Sequence, residues 1–260
     1  MKQDIKITVL GCGASLGVPA AGGFWGECNP ENPKNHRTRA SILIESAETR
    51  ILVDTTVDVR TQLNRLGQIN RLDGIILSHA HSDHINGLDD LRVISYMMEQ
   101  PLEMYSNIET VDNLVQRFDY IFKGGYNGVY KPFVTANVVN YGPLQIGDIR
   151  MEIFEQDHGS CSTLGIRIND FAYSVDMANL DDRALEVLQG VDTWLVDVAG
   201  YKKEYINTHA TIDRVKELSN KLDLPETWLT VLTGQMDYDV LCSELPDHMR
   251  PAYDGMTFWV

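Results

Sequence analysis

The sequence predicts an α+β fold in which two sheets pack together with helices outside. Three observations lead there. Short β-branched or apolar runs bounded by turn residues recur through both halves of the chain. Helical patterns fall between some of these runs but do not alternate with each of them, which disfavours a doubly wound parallel sheet. No linker-like stretch separates the halves, so the 260 residues read as one domain, 1–260. A composition that is 43% hydrophobic and 23% charged suits a buried core rather than a disordered chain.

In order, Lys6-Ile7-Thr8-Val9-Leu10 alternates and is β-branched, so it reads as a strand. It runs into a small-residue turn from Gly11 to Pro19. A dinucleotide-binding turn wants G-x-G-x-x-G at the start of a helix; here the third Gly is one position late and Pro19 follows, so that reading falls away. Residues 20–35, rich in Gly, Asn and Pro, form a loop before a strand over Ser41–Glu45, which pairs through 46–49 with a strand over 50–54. Asp58 is placed to cap the helix that begins there. An apolar run over 74–77 reads as a buried strand, and a helix over 86–98 follows with Leu88, Leu91 and Ile94 near helical spacing. A short strand over 102–105 precedes an amphipathic helix over 109–122, with Leu114, Phe118 and Ile121 on one side. Residues 123–130 form a Gly- and Tyr-containing surface loop that could line a substrate mouth. The second half holds strands over 134–140, 150–155, 163–169, 171–175 and 193–198, and helices near 182–188 and 211–222.

The net charge of −15 argues against a broad basic surface, and so against a long nucleic acid as partner. Cys12, Cys28, Cys161 and Cys242 are far apart and make neither a C-x-x-C pair nor a dense disulfide framework. Residues 1–10 lack a long apolar leader segment, and no run approaches the length of a membrane span. These features point to the cytosol.

Chemistry concentrates in Ser78-His79-Ala80-His81-Ser82-Asp83-His84, directly after the apolar run. Four metal-binding side chains fall within six consecutive positions, and three of the seven histidines in the chain are among them. In an extended segment residues two apart point the same way, so His79, His81 and Asp83 can face one cavity while a bend turns in His84. A solvated polar loop is the plain alternative, but such clustering is uncommon without a metal. Further ligands have to come from elsewhere. His158 follows a strand, Asp176 ends one, and His209 precedes a helix; each taken singly is also an ordinary turn residue.

His79, His81, Asp83 and His84 complete the H-x-H-x-D-H signature, and here the sequence resembles the metallo-β-lactamase superfamily. Gly11-Cys12-Gly13-Ala14-Ser15, Arg37-Thr38-Arg39-Ala40-Ser41, Val53-Asp54-Thr55, Gly87-Leu88-Asp89-Asp90-Leu91-Arg92 and Pro251-Ala252-Tyr253-Asp254-Gly255-Met256 narrow this to the PhnP-type branch, the phosphoribosyl cyclic phosphate phosphodiesterases and their relatives. The resemblance implies an αββα sandwich of two packed mixed sheets and a di-metal site at one sheet edge. It implies that His79, His81 and His158 hold one metal, Asp83 and His84 the other, and that Asp176 lies between them. His209, in Thr-His-Ala-Thr, matches a histidine beside the substrate phosphate; Asp83 and His209 are the implied catalytic pair. The implied activity is hydrolysis of a small cyclic-phosphate or nucleotide-like diester by a metal-activated hydroxide, with Zn or Mn as the divalent ion. Other readings are a different hydrolase of the superfamily, acting on a thioester, a lactone or an RNA end, or a degenerate member that only binds a ligand. Beyond the substrate, the partner expected is a second copy of the chain, with no membrane.

Two departures from the family pattern stand out. Gly234, in Val231-Leu232-Thr233-Gly234-Gln235-Met236-Asp237, occupies the place of a late ligand histidine, so the second metal is expected to be weakly held unless water, Gln235 or Asp237 fills in. Near Gly26-Glu27-Cys28 only one Cys is left of a structural zinc cluster, and a lone thiolate cannot close a tetrahedral site.

Overall fold

The structure is a computed structural model and describes residues 4–125, 128–202 and 207–260. Residues 1–3, part of the segment read as having no leader, and Tyr126 and Asn127 of the predicted 123–130 loop lie outside the described residues.

The first half begins with β1 (Lys6–Gly11), β2 (Ser41–Glu45), β3 (Arg50–Val53), α1 (Val59–Arg65) and β4 (Gly74–Ile76). It continues through α2 (Ser82–Ile85), α3 (Arg92–Met98), β5 (Leu102–Ser106), α4 (Ile108–Arg117), α5 (Asp119–Lys123) and β6 (Val134–Val138). The second half contributes β7 (Gly142–Ile146), β8 (Ile149–Asp157), β9 (Ser162–Ile168), β10 (Phe171–Ser174), α6 (Asp182–Leu188), β11 (Thr193–Asp197) and α7 (Ile212–Lys221). The chain closes with β12 (Glu226–Thr230), α8 (Tyr238–Glu244), β13 (Met249–Pro251) and β14 (Thr257–Trp259). Two seven-stranded sheets result, in the orders β14-β1-β2-β3-β4-β5-β6 and β13-β12-β11-β10-β9-β8-β7. Each is mixed: β3 to β6 and β10 to β13 run parallel, while β1 to β3 and β7 to β10 are antiparallel. The α+β sandwich expected from the sequence is the observed fold.

The period of two along each strand sorts the side chains into layers. Ile42, Ile44, Ile51, Val53 and Ile76 join the core shared with Ile153, Ile166 and Tyr173 of the other sheet. Leu43, Leu52 and Ile75, one residue out of step, pack instead on Val59 and Leu63 of α1 and Leu114 of α4. Strands covered on both faces carry no polar stripe, which is why they read as continuous apolar runs.

Several expected elements have different bounds. The helix predicted over 86–98 is a 3-10 turn over Leu88–Leu91 followed by α3, and the short α2 that precedes it was not expected. The break lies at Gly87, whose N–H bonds Thr55 O at 2.8 Å and where an added Cβ would stand 1.9 Å from Thr56 O. The helix predicted over 109–122 turns at Phe118 into α5. The strand expected over 134–140 stops at Val138. Strands β7, β12, β13 and β14 and helix α8 were not expected.

What matters for function is where strands end. The carboxyl ends of β3, β4, β8, β10, β11 and β12 gather at one edge, where Leu164 N–H donates to Ser78 O at 3.1 Å and ties the two sheets together. Three non-glycine residues there have left-handed backbone: Asp54 (φ 63°), Asp176 (φ 47°) and Val231 (φ 57°). Asp tolerates this region because its short side chain bonds locally; for β-branched Val it is strained. All three turn the chain sharply at the same rim.

Candidate metal centre

The loop after β4 presents His79 and His81, while Asp83 and His84 sit on the short helix α2 rather than on the extended segment expected, so that Asp83 groups with His84; the ends of β8 and β10 bring His158 and Asp176 against them. Asp176 joins three groups of possible ligands among the described residues, with donor atoms of each group within 4.8 Å of one another. His79, His81, His158 and Asp176 make one, and Asp83, His84 and Asp176 a second, the two ligand groups that the family resemblance implies; in the third, Asp176, Asp197 and His209, the Asp197 carboxylate is already paired with His209. Asp176 Oδ2 stands 3.6 Å from His79 Nε2, 3.4 Å from His84 Nε2 and 3.5 Å from His158 Nε2. His81 Nδ1 lies 3.3 Å from His158 Nε2, and Asp83 Oδ2 lies 3.4 Å from His84 Nε2. His79, His84, His158 and Asp176 are buried, His81 is exposed and Asp83 is half-buried.

Each buried imidazole is turned by a partner on its far nitrogen, which leaves Nε2 for the cavity. His84 Nδ1–H donates to Asp54 Oδ2 at 2.7 Å. His79 Nδ1–H meets Ser78 Oγ at 3.0 Å, and Ser78 Oγ–H donates onward to Asp54 Oδ2 at 2.8 Å. His158 Nδ1–H donates to the carbonyl of Thr208. Asp54 therefore orients two imidazoles. Sequence reasoning quoted Asp54 without giving it this part, because an Asp at a strand end is an ordinary turn residue.

The electrostatics fit a cation. Burial, reinforced by neighbouring His84, holds His79 well below the ordinary histidine range, so its imidazole is neutral. Burial would raise the Asp176 carboxyl, but His84 and the surrounding imidazoles outweigh it and keep the group ionised. His79 Nε2 and Asp176 Oδ1 are both buried without a hydrogen-bond partner. Such orphaned groups are costly in a folded protein unless an ion or water satisfies them. A divalent ion among these donors satisfies both.

His209 stands on the wall of the same cavity, a space of about 450 Å³ that is also lined by Ser15, Asp83, His158, Thr208 and Thr233. Its Nδ1–H donates to Asp197 Oδ2 at 2.7 Å, and that carboxylate also accepts from Met177 N–H at 2.9 Å and Ala199 N–H at 2.8 Å. Burial would lower the His209 pKa; the Asp197 carboxylate outweighs it and raises the pKa to about 9. Asp197 was missed at the sequence level, although it ends a strand just as Asp176 nearly does.

Neither Gln235 nor Asp237, the side chains expected to stand in for the late histidine, lines this cavity. Asp237 caps α8, accepting from Asp239 and Val240 N–H at 3.0 and 3.2 Å and from Asn29 N–H at 2.9 Å, and Gln235 is exposed. Gly234 packs backbone to backbone with Gly26: a Cβ on Gly26 would stand 2.3 Å from Gly234 O, and Glu27 N–H donates to that oxygen at 2.7 Å. Val231 and Thr233 are what this segment offers the cavity. Cys28, the lone remnant cysteine, has its Sγ 3.5 Å from Gly234 O.

The profile of the family described as Beta-lactamase superfamily domain matches residues 49–230. A crystal structure described as a new diphosphatase from the PhnP family superposes with a TM-score of 0.89 at 28% identity, covering 100% of this chain and 98% of that one. An octanoyltransferase of Porphyromonas gingivalis is 32% identical over 97% of this chain, but the chain spans only 51% of that protein's length. An exodeoxyribonuclease, WalJ, of Streptococcus pneumoniae is 23% identical over 68% of this chain and 64% of its own. A fold of two seven-stranded sheets, a complete H-x-H-x-D-H segment at the sheet edge and these likenesses agree: the chain belongs to the metallo-β-lactamase superfamily, in its PhnP-type branch.

Proposed function

We propose that the protein is a metal-dependent phosphodiesterase acting on a small cyclic-phosphate or nucleotide-like diester. The observation that carries this reading is the pair of ligand groups sharing Asp176 beside a cavity walled by His209. In this reading His79, His81, His158 and Asp176 hold one ion firmly, while Asp83, His84 and Asp176 hold a second more weakly with three protein donors. Imidazole and carboxylate donors suit Zn²⁺ or Mn²⁺. Such ions supply Lewis acidity and a nucleophile at neutral pH.

The chain's own groups do the rest. Asp83 accepts a hydrogen bond from the attacking water and fixes its direction. His209, with Nδ1 held by Asp197, offers a proton at Nε2 to the leaving alkoxide. The −15 charge favours a compact substrate over a polynucleotide, whose many phosphates would be repelled. Hydrolysis of phosphorus–oxygen bonds is also what the words diphosphatase and exodeoxyribonuclease imply for two of the similar proteins. The octanoyltransferase is about twice as long as this chain, and its activity carries no weight here. Four scattered free cysteines fit a cytosolic setting. Among the described residues no helix is long and apolar enough to cross a membrane.

The test is a substrate panel: bis(p-nitrophenyl) phosphate, a 2′,3′-cyclic nucleotide, a thioester and a lactam, each with and without added Mn²⁺ or Zn²⁺. Diester turnover that vanishes after chelation and returns with metal is the expected result. Preferential turnover of the thioester or lactam would overturn it.

A further inference from the structure

Three of the four ligand imidazoles have an orienting partner on the nitrogen away from the cavity: Ser78 for His79, Asp54 for His84 and Thr208 O for His158. His81 does not. It is exposed, and among the described residues its ring nitrogens meet only His158. Its direction must be set through the backbone that carries it.

That backbone is gripped from outside. Arg117, the last residue of α4, donates from Nη1 to the carbonyl of Ala80 at 2.9 Å, the residue between His79 and His81. Its Nη2 donates to Asn86 Oδ1 at 3.4 Å, and Asn86 is the C-cap of α2, the helix holding Asp83 and His84. One planar guanidinium thus spans the ligand segment from entry to exit. A third bond, from Nη1 to Asn113 Oδ1 at 3.3 Å one turn back on α4, steadies the side chain, and the guanidinium carbon lies 5.5 Å from the Phe118 ring centre. All three acceptors are neutral, so an ion pair is not what places the arginine there. The far end of the grip is rigid: Val111 and Leu114 of α4 are buried in the helix-side core, and the Asn107 side chain caps the helix through Thr110 N–H at 2.9 Å.

We propose that Arg117 is a positioning residue of the metal centre, holding Ala80 and Asn86 so that His81 and Asp83 stay aimed at the cavity. The inference rests on the reading of that cluster as a metal site given under Proposed function. Loss of a group that orients a ligand typically weakens metal binding by about 10- to 100-fold. Lysine, a single ammonium, cannot reach both acceptors in the same plane.

The experiment measures Zn²⁺ affinity of metal-free wild type, Arg117→Gln, Arg117→Lys and the remote control Arg183→Gln on α6, by competition with a chromogenic chelator. Thermal unfolding of each metal-free protein is followed alongside. Arg117→Gln is expected to bind Zn²⁺ about tenfold more weakly, Arg117→Lys nearly as weakly, and Arg183→Gln like wild type, with metal-free unfolding temperatures unchanged. Unchanged affinity in Arg117→Gln overturns the proposal. So does a parallel drop in metal-free stability, which would assign the effect to the helix. Unchanged affinity with a raised KM only for diesters bearing a second phosphate would make Arg117 a substrate contact instead and likewise overturns it. A wild type that takes up no Zn²⁺ defeats the metal reading itself, a result distinguishable from all of these.

Discussion

Asp176→Ala is expected to lower diester turnover on the order of 10³-fold or more, judged from the cost of removing a single preorganised charge-stabilising group. No other side chain is shared by both ligand groups. Its Oδ2 stands 3.4 to 3.6 Å from three imidazoles, and its other oxygen is buried with no hydrogen-bond partner. Removing it leaves His79, His84 and His158 converging on a space with no negative charge at its centre, so cations lose affinity there as well. Asp176→Asn keeps the shape and removes the charge, and should be almost as damaging. Steady-state kcat together with metal content by atomic absorption checks this; activity within tenfold of wild type at full metal content would argue against the assignment.

His209→Ala should cost about 10²- to 10⁴-fold in kcat, the usual range for a positioned general acid, while bound metal is retained. The size of the loss should follow the leaving group. An alkoxide needs a proton as the bond breaks, whereas p-nitrophenolate leaves without one. A nucleotide-like diester should therefore suffer far more than bis(p-nitrophenyl) phosphate. Equal losses with both would mean that His209 acts on phosphate charge alone. The 2.7 Å bond to Asp197, which also anchors Met177 next to Asp176, makes Asp197 the group that keeps Nε2 of His209 available.

How much of this the sequence disclosed follows from where the information lies. The ligands from His79 to His84 are contiguous, so their periodicity and rarity could be read directly. His158, Asp176 and His209 were found because that cluster needed partners, and the fold brings all three to it. Asp54 and Asp197 stayed hidden because their roles exist only once separate strands end at a common edge. Arg117 is hidden for the same reason, being 37 residues from Ala80. Among the strands, the buried central ones were readable from apolar runs. β13 and β14 were missed because they are three residues long and lie at sheet edges, one with Pro251 and the other with Trp259 70% exposed. β7 was missed because it opens Gly142-Pro143, a pair that reads as a turn.

Gly234 was read as the site of a lost ligand, and the surroundings give that reading a local form. A Cβ on Gly234 would stand 3.2 Å from Trp25 O, and Asp237 is committed to the cap of α8. The second ligand group is left with Asp83, His84 and Asp176. The first has four donors, two of them, His79 and His158, with an orienting partner.

The central claim is therefore an unequal pair of metal sites sharing one carboxylate. Metal equivalents per chain, measured after stepwise dialysis of Zn²⁺-loaded protein against a weak chelator, test it most directly. The account predicts two equivalents at saturation, one lost early and one retained until a strong chelator is added. Two equivalents of equal tenacity, or none at any stage, would contradict it.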